Sequence, residues 1–208
     1  MELYQYTVGM LSTNCYLLKT NQNNGILIDP GAQAEQLLEE IEKLGINLKK
    51  IVLTHGHYDH IGAVHDIKMA TGAELSIHAD DVEMLEDPRK NLASYFNAPY
   101  VPTKPDVIVQ DGDTVVLDDI SLNVLHTPGH TKGSCVLLGD NLMISGDTLF
   151  CGSVGRTDHY GGDYSALKQS LKKLYDLPGD YQVVAGHGRA TTLEQERRTN
   201  PYMEILKS

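Results

Sequence analysis

The sequence is poor in cysteine, poor in basic charge and without any long apolar run, and each shortage removes a class of protein. Its three cysteines, Cys15, Cys135 and Cys151, are far apart and odd in number. No C-x-x-C pair is present, so neither a disulfide framework nor a thiolate zinc ribbon is supported. Reduced thiols and a cytoplasmic location are therefore expected. Lys and Arg number 17 against 28 Asp and Glu, a formal net charge of −11. A general nucleic-acid binder needs a basic face to displace counterions, so that class is set aside. A locally basic pocket for an anionic substrate stays compatible with this balance. No stretch of about 18 apolar residues exists, so no membrane-spanning helix is expected. The start, Met1-Glu2-Leu3-Tyr4-Gln5, lacks the basic residues and apolar run of a signal peptide.

What is there has the composition of an ordinary globular chain, 41% hydrophobic and 22% charged over 208 residues. That length buries a core unaided and suits one domain over 1–208, so any bound metal serves chemistry rather than folding. Residues 4–10 and 14–20 read as strands, Asn21 to Gly25 as a turn, and 26–28 as a short strand ending in Asp29-Pro30-Gly31. Leu37, Leu38, Ile41 and Leu44 recur at helical spacing until Gly45. Residues 51–53 form a buried-type strand, followed by a helix expected from Asp59 to about Thr71. A strand at 75–78 precedes residues 80–105, whose four prolines suggest short helices and loop. That segment is a candidate lid docked through Leu92, Tyr95 and Phe96. Strands are expected again at 114–117, 121–125, 134–138 and 141–144, a helix at 164–175 and a strand at 182–185. Helical segments from Leu193, interrupted at Pro201, end the chain. This order predicts two β-rich halves stacked face to face with helices outside.

The chemistry is concentrated at strand ends. His55-x-His57-x-Asp59-His60 places four ligand-type residues within six positions after a buried strand. In extended backbone, side chains two apart share a direction, so His55 and His57 can converge on one cation. Asp59 and His60, where the chain turns into a helix, can serve a second. His130 follows Thr127-Pro128-Gly129, Asp147 follows Ile144-Ser145-Gly146, and His187 lies in Ala185-Gly186-His187-Gly188. Each of these alone is more often a satisfied polar residue, whereas strand after strand ending in a ligand type beside glycine is a joint signal. Imidazole and carboxylate without thiolate suit Zn²⁺, and also Fe²⁺ or Mn²⁺, with positions left open for water. Paired ions of this kind sit roughly 3.5 Å apart and activate one water between them.

Thr54-His55-Gly56-His57-Tyr58-Asp59-His60 resembles the signature of the metallo-β-lactamase-fold hydrolases. Asp29-Pro30-Gly31, Thr127-Pro128-Gly129-His130-Thr131, Gly146-Asp147-Thr148-Leu149-Phe150 and Gly186-His187-Gly188 resemble its other motifs, in order. Gly155-Arg156-Thr157-Asp158, Gly161-Gly162-Asp163 and the tail from Thr191-Thr192 to Asn200-Pro201-Tyr202 are similar to the short glyoxalase II-like branch. The resemblance implies an α+β fold, a four-layer αβ/βα sandwich. It also implies two divalent metal ions: His55, His57 and His130 on the first, Asp59, His60 and His187 on the second, and Asp147 on both. Asp29 would orient the ligand loop. The activity implied is hydrolysis of a hydroxyacyl thioester, a small molecule, by a hydroxide bridging the ions, with Asp59 also orienting that nucleophile. The chain ends at Ser208, without room for the helical glutathione-binding domain of longer members, so another thiol carrier stays open.

Arg156 and Lys132 are the basic candidates for an anionic substrate, with surface ion pairing, Arg156 to Asp158 for instance, as the plainer reading. His159 can face substrate; His65 reads as packed or solvent-facing, His78 and His126 as strand positions with satisfied ring nitrogens, and Cys151 as a small buried residue. Two other functions compete. A persulfide dioxygenase of the same superfamily would use a single iron, and a binding module would hold metal without turnover. The absent signal peptide and Asp147 count against a β-lactamase, and the acidic balance against a nuclease.

Overall fold

The computed structural model describes residues 1–204, so the expected last helical residues, 205–208, lie outside the described residues. Strands β1 (Glu2–Val8), β2 (Thr13–Lys19), β3 (Asn24–Ile28), β4 (Asn47–Val52), β5 (Glu74–His78) and β6 (Val107–Val109) form one sheet in sequence order. A second chain half contributes β7 (Thr114–Leu117), β8 (Ile120–His126), β9 (Cys135–Leu138), β10 (Leu142–Gly146), β11 (Leu149–Phe150), β12 (Ser153–Val154), β13 (Gln182–Ala185) and β14 (Thr191–Thr192). Six of these make a sheet ordered β14-β13-β10-β9-β8-β7, and β11 and β12 pair as a separate hairpin. The helices are α1 (Ala34–Lys43), α2 (Tyr58–Ile61), α3 (Val64–Thr71), α4 (Tyr164–Tyr175), α5 (Leu193–Thr199) and α6 (Pro201–Glu204). None of the described helices is long and apolar enough to cross a membrane.

Side-chain alternation along the strands dictates the layering. Leu17 of β2 and Leu27 of β3 face outward, joining Ile51 and Leu75 against Leu37 and Ile41 of α1 and Ile67 of α3. Their neighbours Leu18, Ile26 and Ile28 face inward and meet Leu122, Val124, Leu137 and Ile144 of the other sheet. On the far side, Val136, Met143 and Val183 pack against Leu167, Leu171 and Leu174 of α4 and Met203 of α6. Each such side chain, removed from water, contributes about 1.5–3 kcal/mol. The result is the expected αβ/βα sandwich. Strands β3 to β6 run parallel, as do β10 and β13, so their C-terminal ends open onto common edges.

The helix expected over 59–71 is broken in two. Ala63 N–H donates to the Pro30 carbonyl at 3.0 Å, and a Cβ on Gly62 would lie 2.4 Å from the Gly31 oxygen. The Asp29-Pro30-Gly31 turn therefore presses directly on the chain between α2 and α3. The first strand stops at Val8 because Gly9 and Ser12 adopt left-handed backbone (φ 70 and 54) in the hairpin turn. Residues 79–84 form a 3₁₀ helix, followed by turns. Tyr95, an expected docking residue, is instead 76% exposed, and Met84, Leu85 and Ala93 anchor the segment. Cys151 is half-exposed rather than buried, its sulfur accepting from Arg189 Nε at 3.3 Å. His78 and His126 end β5 and β8 and stack at 4.0 Å. Each has a ring nitrogen on a backbone partner.

Candidate metal centre

The two sheets meet at their edges through backbone bonds that bring the ligand loops together. Cys135 N–H donates to Thr54 C=O (2.9 Å) and Asn14 N–H to Gly186 C=O (2.7 Å), while within the second sheet Gly186 N–H donates to Gly146 C=O (2.8 Å). The donor atoms of His55, His57 and His130 lie within 4.8 Å of one another, as do those of Asp59, His60 and His187. Asp147 touches both groups. Its Oδ2 is 3.4 Å from His130 Nε2 and 3.5 Å from His187 Nε2, and its Oδ1 is 3.4 Å from His60 Nε2.

Hydrogen bonding fixes which nitrogen each ring offers. Asp29, in left-handed backbone at φ 53, accepts Thr54 N–H on Oδ1 at 2.8 Å and the Thr54 hydroxyl on Oδ2 at 2.6 Å. A carboxylate only accepts, so His60 Nδ1, 3.0 Å from Asp29 Oδ2, must carry the proton. The Thr54 hydroxyl has already given its hydrogen to Asp29, so His55 Nδ1 donates to Thr54 Oγ1 at 3.1 Å. His130 Nδ1 donates to the Arg156 carbonyl at 2.7 Å. All three rings are thereby held with Nε2 free to present a lone pair, the tautomer a metal ligand needs.

The lone pairs of His55 and His60 have no protein partner. His55 Nε2, His60 Nε2 and Asp147 Oδ1 are buried without a hydrogen bond, and so is His57 Nε2. Each orphaned group of this kind costs about 1–3 kcal/mol. His57 Nδ1 and His130 Nε2 face each other at 2.8 Å, and a cation lets both offer lone pairs. The donor set fits two divalent ions, one per group, with Asp147 shared.

Electrostatics divides the two groups. Burial, followed by repulsion from neighbouring imidazoles, holds His55 far below the usual histidine range and lowers His57 to about 3. Both are neutral ligands in waiting. In the second group burial opposes charge, yet Asp59 and Asp147 outweigh it and raise His60 to about 9. Burial is likewise overcome at His187, lifted to about 10 by hydrogen bonds and attraction from the same carboxylates. Burial works against ionised Asp59, but His60 and bonds from His187 and Thr13 hold its carboxyl well below the ordinary range. Without a cation, this group takes up protons in its place.

A cavity of about 530 Å³ opens over the centre, walled by Leu11, Tyr58, Leu92, Phe96, Phe150 and Val154. Arg156 and His159 also reach it. Arg156 arrives paired with Asp158 through Nε (2.6 Å) and Nη2 (2.7 Å), so it presents little net charge. Lys132 does not line this cavity. Its ammonium pairs with Glu83 at 3.2 Å and lies 5.1 Å over the Tyr160 ring, because the turn after His130 points it outward.

Asp81 is a buried anchor that sequence reasoning missed. Its carboxylate accepts Gly56 N–H at 2.9 Å, Gly133 N–H at 2.7 Å and the Thr131 hydroxyl at 2.6 Å. It thus ties the His55–His57 loop to the loop carrying His130. The signal was its place just after β5, hidden because Asp80, Asp81 and Glu83 together look like a solvated acidic run.

Three outcomes are expected. Asp81→Ala strands two backbone N–H groups and lowers unfolding stability by roughly 3 kcal/mol, measured by urea titration, with reduced metal uptake at equal protein. Gly186→Ala would put a methyl 2.2 Å from Asp147 Oδ1, so metal content should drop while circular dichroism is retained. Cation binding must displace the protons that His60 and His187 hold up to about 9 and 10. Metal uptake near pH 7 therefore releases protons and tightens as pH rises. Calorimetry in buffers of differing ionisation enthalpy checks this, and zero proton release would contradict it.

Comparison with known proteins agrees with this geometry. Residues 8–187 match the metallo-beta-lactamase superfamily. A Haemophilus influenzae protein named hydroxyacylglutathione hydrolase GloC is 38% identical, the match covering 94% of this chain and 95% of that one. The crystal structure of BLEG-1 B3 metallo-beta-lactamase superposes with a TM-score of 0.92 at 32% identity, over 97% of this chain and 99% of that one. TTHA1623 in a di-iron-bound form gives a TM-score of 0.87 at 37% identity, over 96% and 99%. The chain belongs to the metallo-β-lactamase superfamily.

Proposed function

We propose that this protein is a binuclear metal-dependent hydrolase of hydroxyacyl thioesters, a glyoxalase II-like enzyme. The observation that carries the reading is the donor set itself, two groups of three joined by Asp147 beneath an apolar-walled cavity. His55, His57 and His130 would hold one ion, Asp59, His60 and His187 the other, and Asp147 both. When bound, such ions act as Lewis acids toward a carbonyl oxygen and lower the pKa of water. The metals are zinc first, with iron compatible, since TTHA1623 is described in a di-iron form.

The chain's own groups do the remaining work. Asp29 and the Arg156 carbonyl hold the ligand tautomers in place. Asp59, its Oδ2 steadied by the Thr13 hydroxyl at 2.8 Å, would orient the attacking water besides holding metal. Leu92, Phe96 and Phe150 exclude bulk solvent around the acyl carbon, which strengthens every polar contact inside. A departing thiolate needs little protonation, so the wall requires no strong general acid. Arg156, already paired with Asp158, contributes position more than charge. The relative named hydroxyacylglutathione hydrolase is matched over nearly its whole length, so glutathione stays among the thiol carriers to test. Three free cysteines accord with a reducing, cytoplasmic setting.

A complete Asp59–His60–His187 group favours this reading over a single-iron dioxygenase, and the open cavity favours it over a non-catalytic metal holder. The decisive experiment is a panel of hydroxyacyl thioesters, of glutathione and of smaller thiols, assayed at defined zinc, iron and manganese loading. Oxygen uptake with a persulfide is followed in parallel. Turnover of thioester without oxygen uptake is expected. His57→Ala should lower that turnover by at least about 100-fold and reduce bound metal, with the fold intact. An active His57→Ala protein keeping two equivalents of metal would sink the assignment.

A further inference from the structure

A cavity with mostly apolar walls orients its ligand through the few polar groups it keeps. Outside the donor set, three polar side chains stand on the wall here: Tyr58, Arg156 and His159. Tyr58 keeps its hydroxyl buried, and Arg156 is tied to Asp158 through Nε and Nη2. His159 is committed to nothing. Its ring is half-buried, lines the cavity and hydrogen-bonds none of the described residues.

The backbone holds that ring in place. His159 lies between β12 and α4, where its carbonyl accepts Gly162 N–H at 2.9 Å and Asp163 N–H donates to Gly129 C=O at 2.8 Å. At the start of the same connection, a Cβ on Gly155 would fall 1.8 Å from the Asp147 carbonyl oxygen. The segment is pressed onto the metal loops at both ends, so a group it carries is positioned before a ligand arrives. The imidazole stands edge-on to His57, ring centroids 6.1 Å apart. His57 is 3% exposed whereas His159 is half-buried, so the step from one ring to the next leads from the cavity floor toward its mouth.

An acyl carbonyl must sit on that floor, against the buried donor atoms. A small acyl group then stays within the wall, and the thiol arm is the part that runs out past the rim. Burial, followed by the Arg156 charge, lowers His159 below the usual histidine range, so at pH 7 its ring is neutral. It offers one N–H and one lone pair. An amide presents the matching pair, a C=O and an N–H, whereas a carboxylate would meet the Asp158 charge next door. Resting on the thioester-hydrolase reading, we infer that His159 is a specificity-determining residue that hydrogen-bonds an amide of the thiol arm, selecting thioesters of amide-bearing thiols.

The test compares metal-loaded wild type and His159→Phe on 2-hydroxypropanoyl thioesters of N-acetylcysteamine and of its ester counterpart, 2-sulfanylethyl acetate. The two thiols differ only in an N–H exchanged for an oxygen. The measured quantity is the ratio of the two kcat/KM values. Wild type should prefer the amide, and His159→Phe should lose roughly fivefold of that preference, through KM rather than kcat. His159→Ala should lose it likewise, and His159→Gln, which keeps a donor and an acceptor, should retain most of it. A ratio shared by wild type, His159→Phe and His159→Ala overturns the inference while the hydrolase reading stands. So does a loss that falls instead between 2-hydroxypropanoyl and propanoyl groups on N-acetylcysteamine, because the ring then reads the acyl side. If wild type hydrolyses none of these compounds, the hydrolase reading fails instead. Calorimetry with the two free thiols then decides the role of His159: weaker selection of N-acetylcysteamine in His159→Phe supports it, and equal selection by both proteins overturns it.

Discussion

The whole centre depends on a carboxylate that binds no substrate. Asp29, at the end of β3, accepts from the Thr54 backbone, the Thr54 hydroxyl and His60 Nδ1 at once. Through Thr54 it dictates the tautomer of His55, and directly that of His60. One side chain thereby commits a ligand in each metal group to present Nε2 inward. The same contact locks the β3 and β4 ends together, and the adjoining Pro30 and Gly31 force the break between α2 and α3. Position, tautomer and chain path all follow from a single acceptor that cannot donate.

What Asp29 does within the first sheet, Asp81 does between the sheets. Asp81 is a buried carboxylate satisfied by backbone and hydroxyl donors alone, and Asp29 by donors of the same kinds together with the His60 ring. A guanidinium at either place would have introduced a positive charge beside imidazoles that must accept a metal. Backbone and hydroxyl donors bring no charge of their own and leave the electrostatic demand of the centre unmet. That demand is visible in the protons drawn to His60 and His187, in the unpartnered Nε2 of His55 and in the facing nitrogens of His57 and His130. A divalent cation is the partner that resolves all three.

Much of this was legible in the sequence because the periods were clean. Tyr16, Leu18, Ile26 and Ile28 alternate with Leu17 and Leu27, so the faces of the first sheet could be assigned without coordinates. His55 and His57, two apart after a buried strand, announced convergence, and His130, Asp147 and His187 joined them as strand-end ligands beside glycine, whereas dividing the set between two ions required the resemblance. What stayed hidden was set by tertiary contact. Nothing local marks Gly62 as the place where another loop presses in. Two-residue strands such as β11 and β14 carry no period. Tyr95 and Phe96 look equally apolar, but only packing decides that one is exposed while the other meets Tyr58. Lys132 was near His130 in sequence and aimed away from it in space.

The cavity adds a constraint that the ligands alone do not impose. Metal groups of this type can attack many carbonyl and phosphoryl compounds, so the wall must choose among them. Leu11, Phe96 and Phe150 offer no charge to a phosphodiester, and Arg156 is neutralised by Asp158. Such a wall suits an acyl group of low charge whose leaving group departs without help. A thioester meets both conditions: its thiolate leaves readily, and its acyl carbon gains from a dry surround. An amide would require a proton donor aimed at the leaving nitrogen. The Tyr58 hydroxyl is buried, a weak acid that burial and Asp59 make weaker still, and burial followed by the Arg156 charge lowers the His159 imidazole below the usual histidine range. A wall that holds no ready proton donor at neutral pH suits a leaving group that needs none, and that is the physical support for the proposed thioester substrate over an amide.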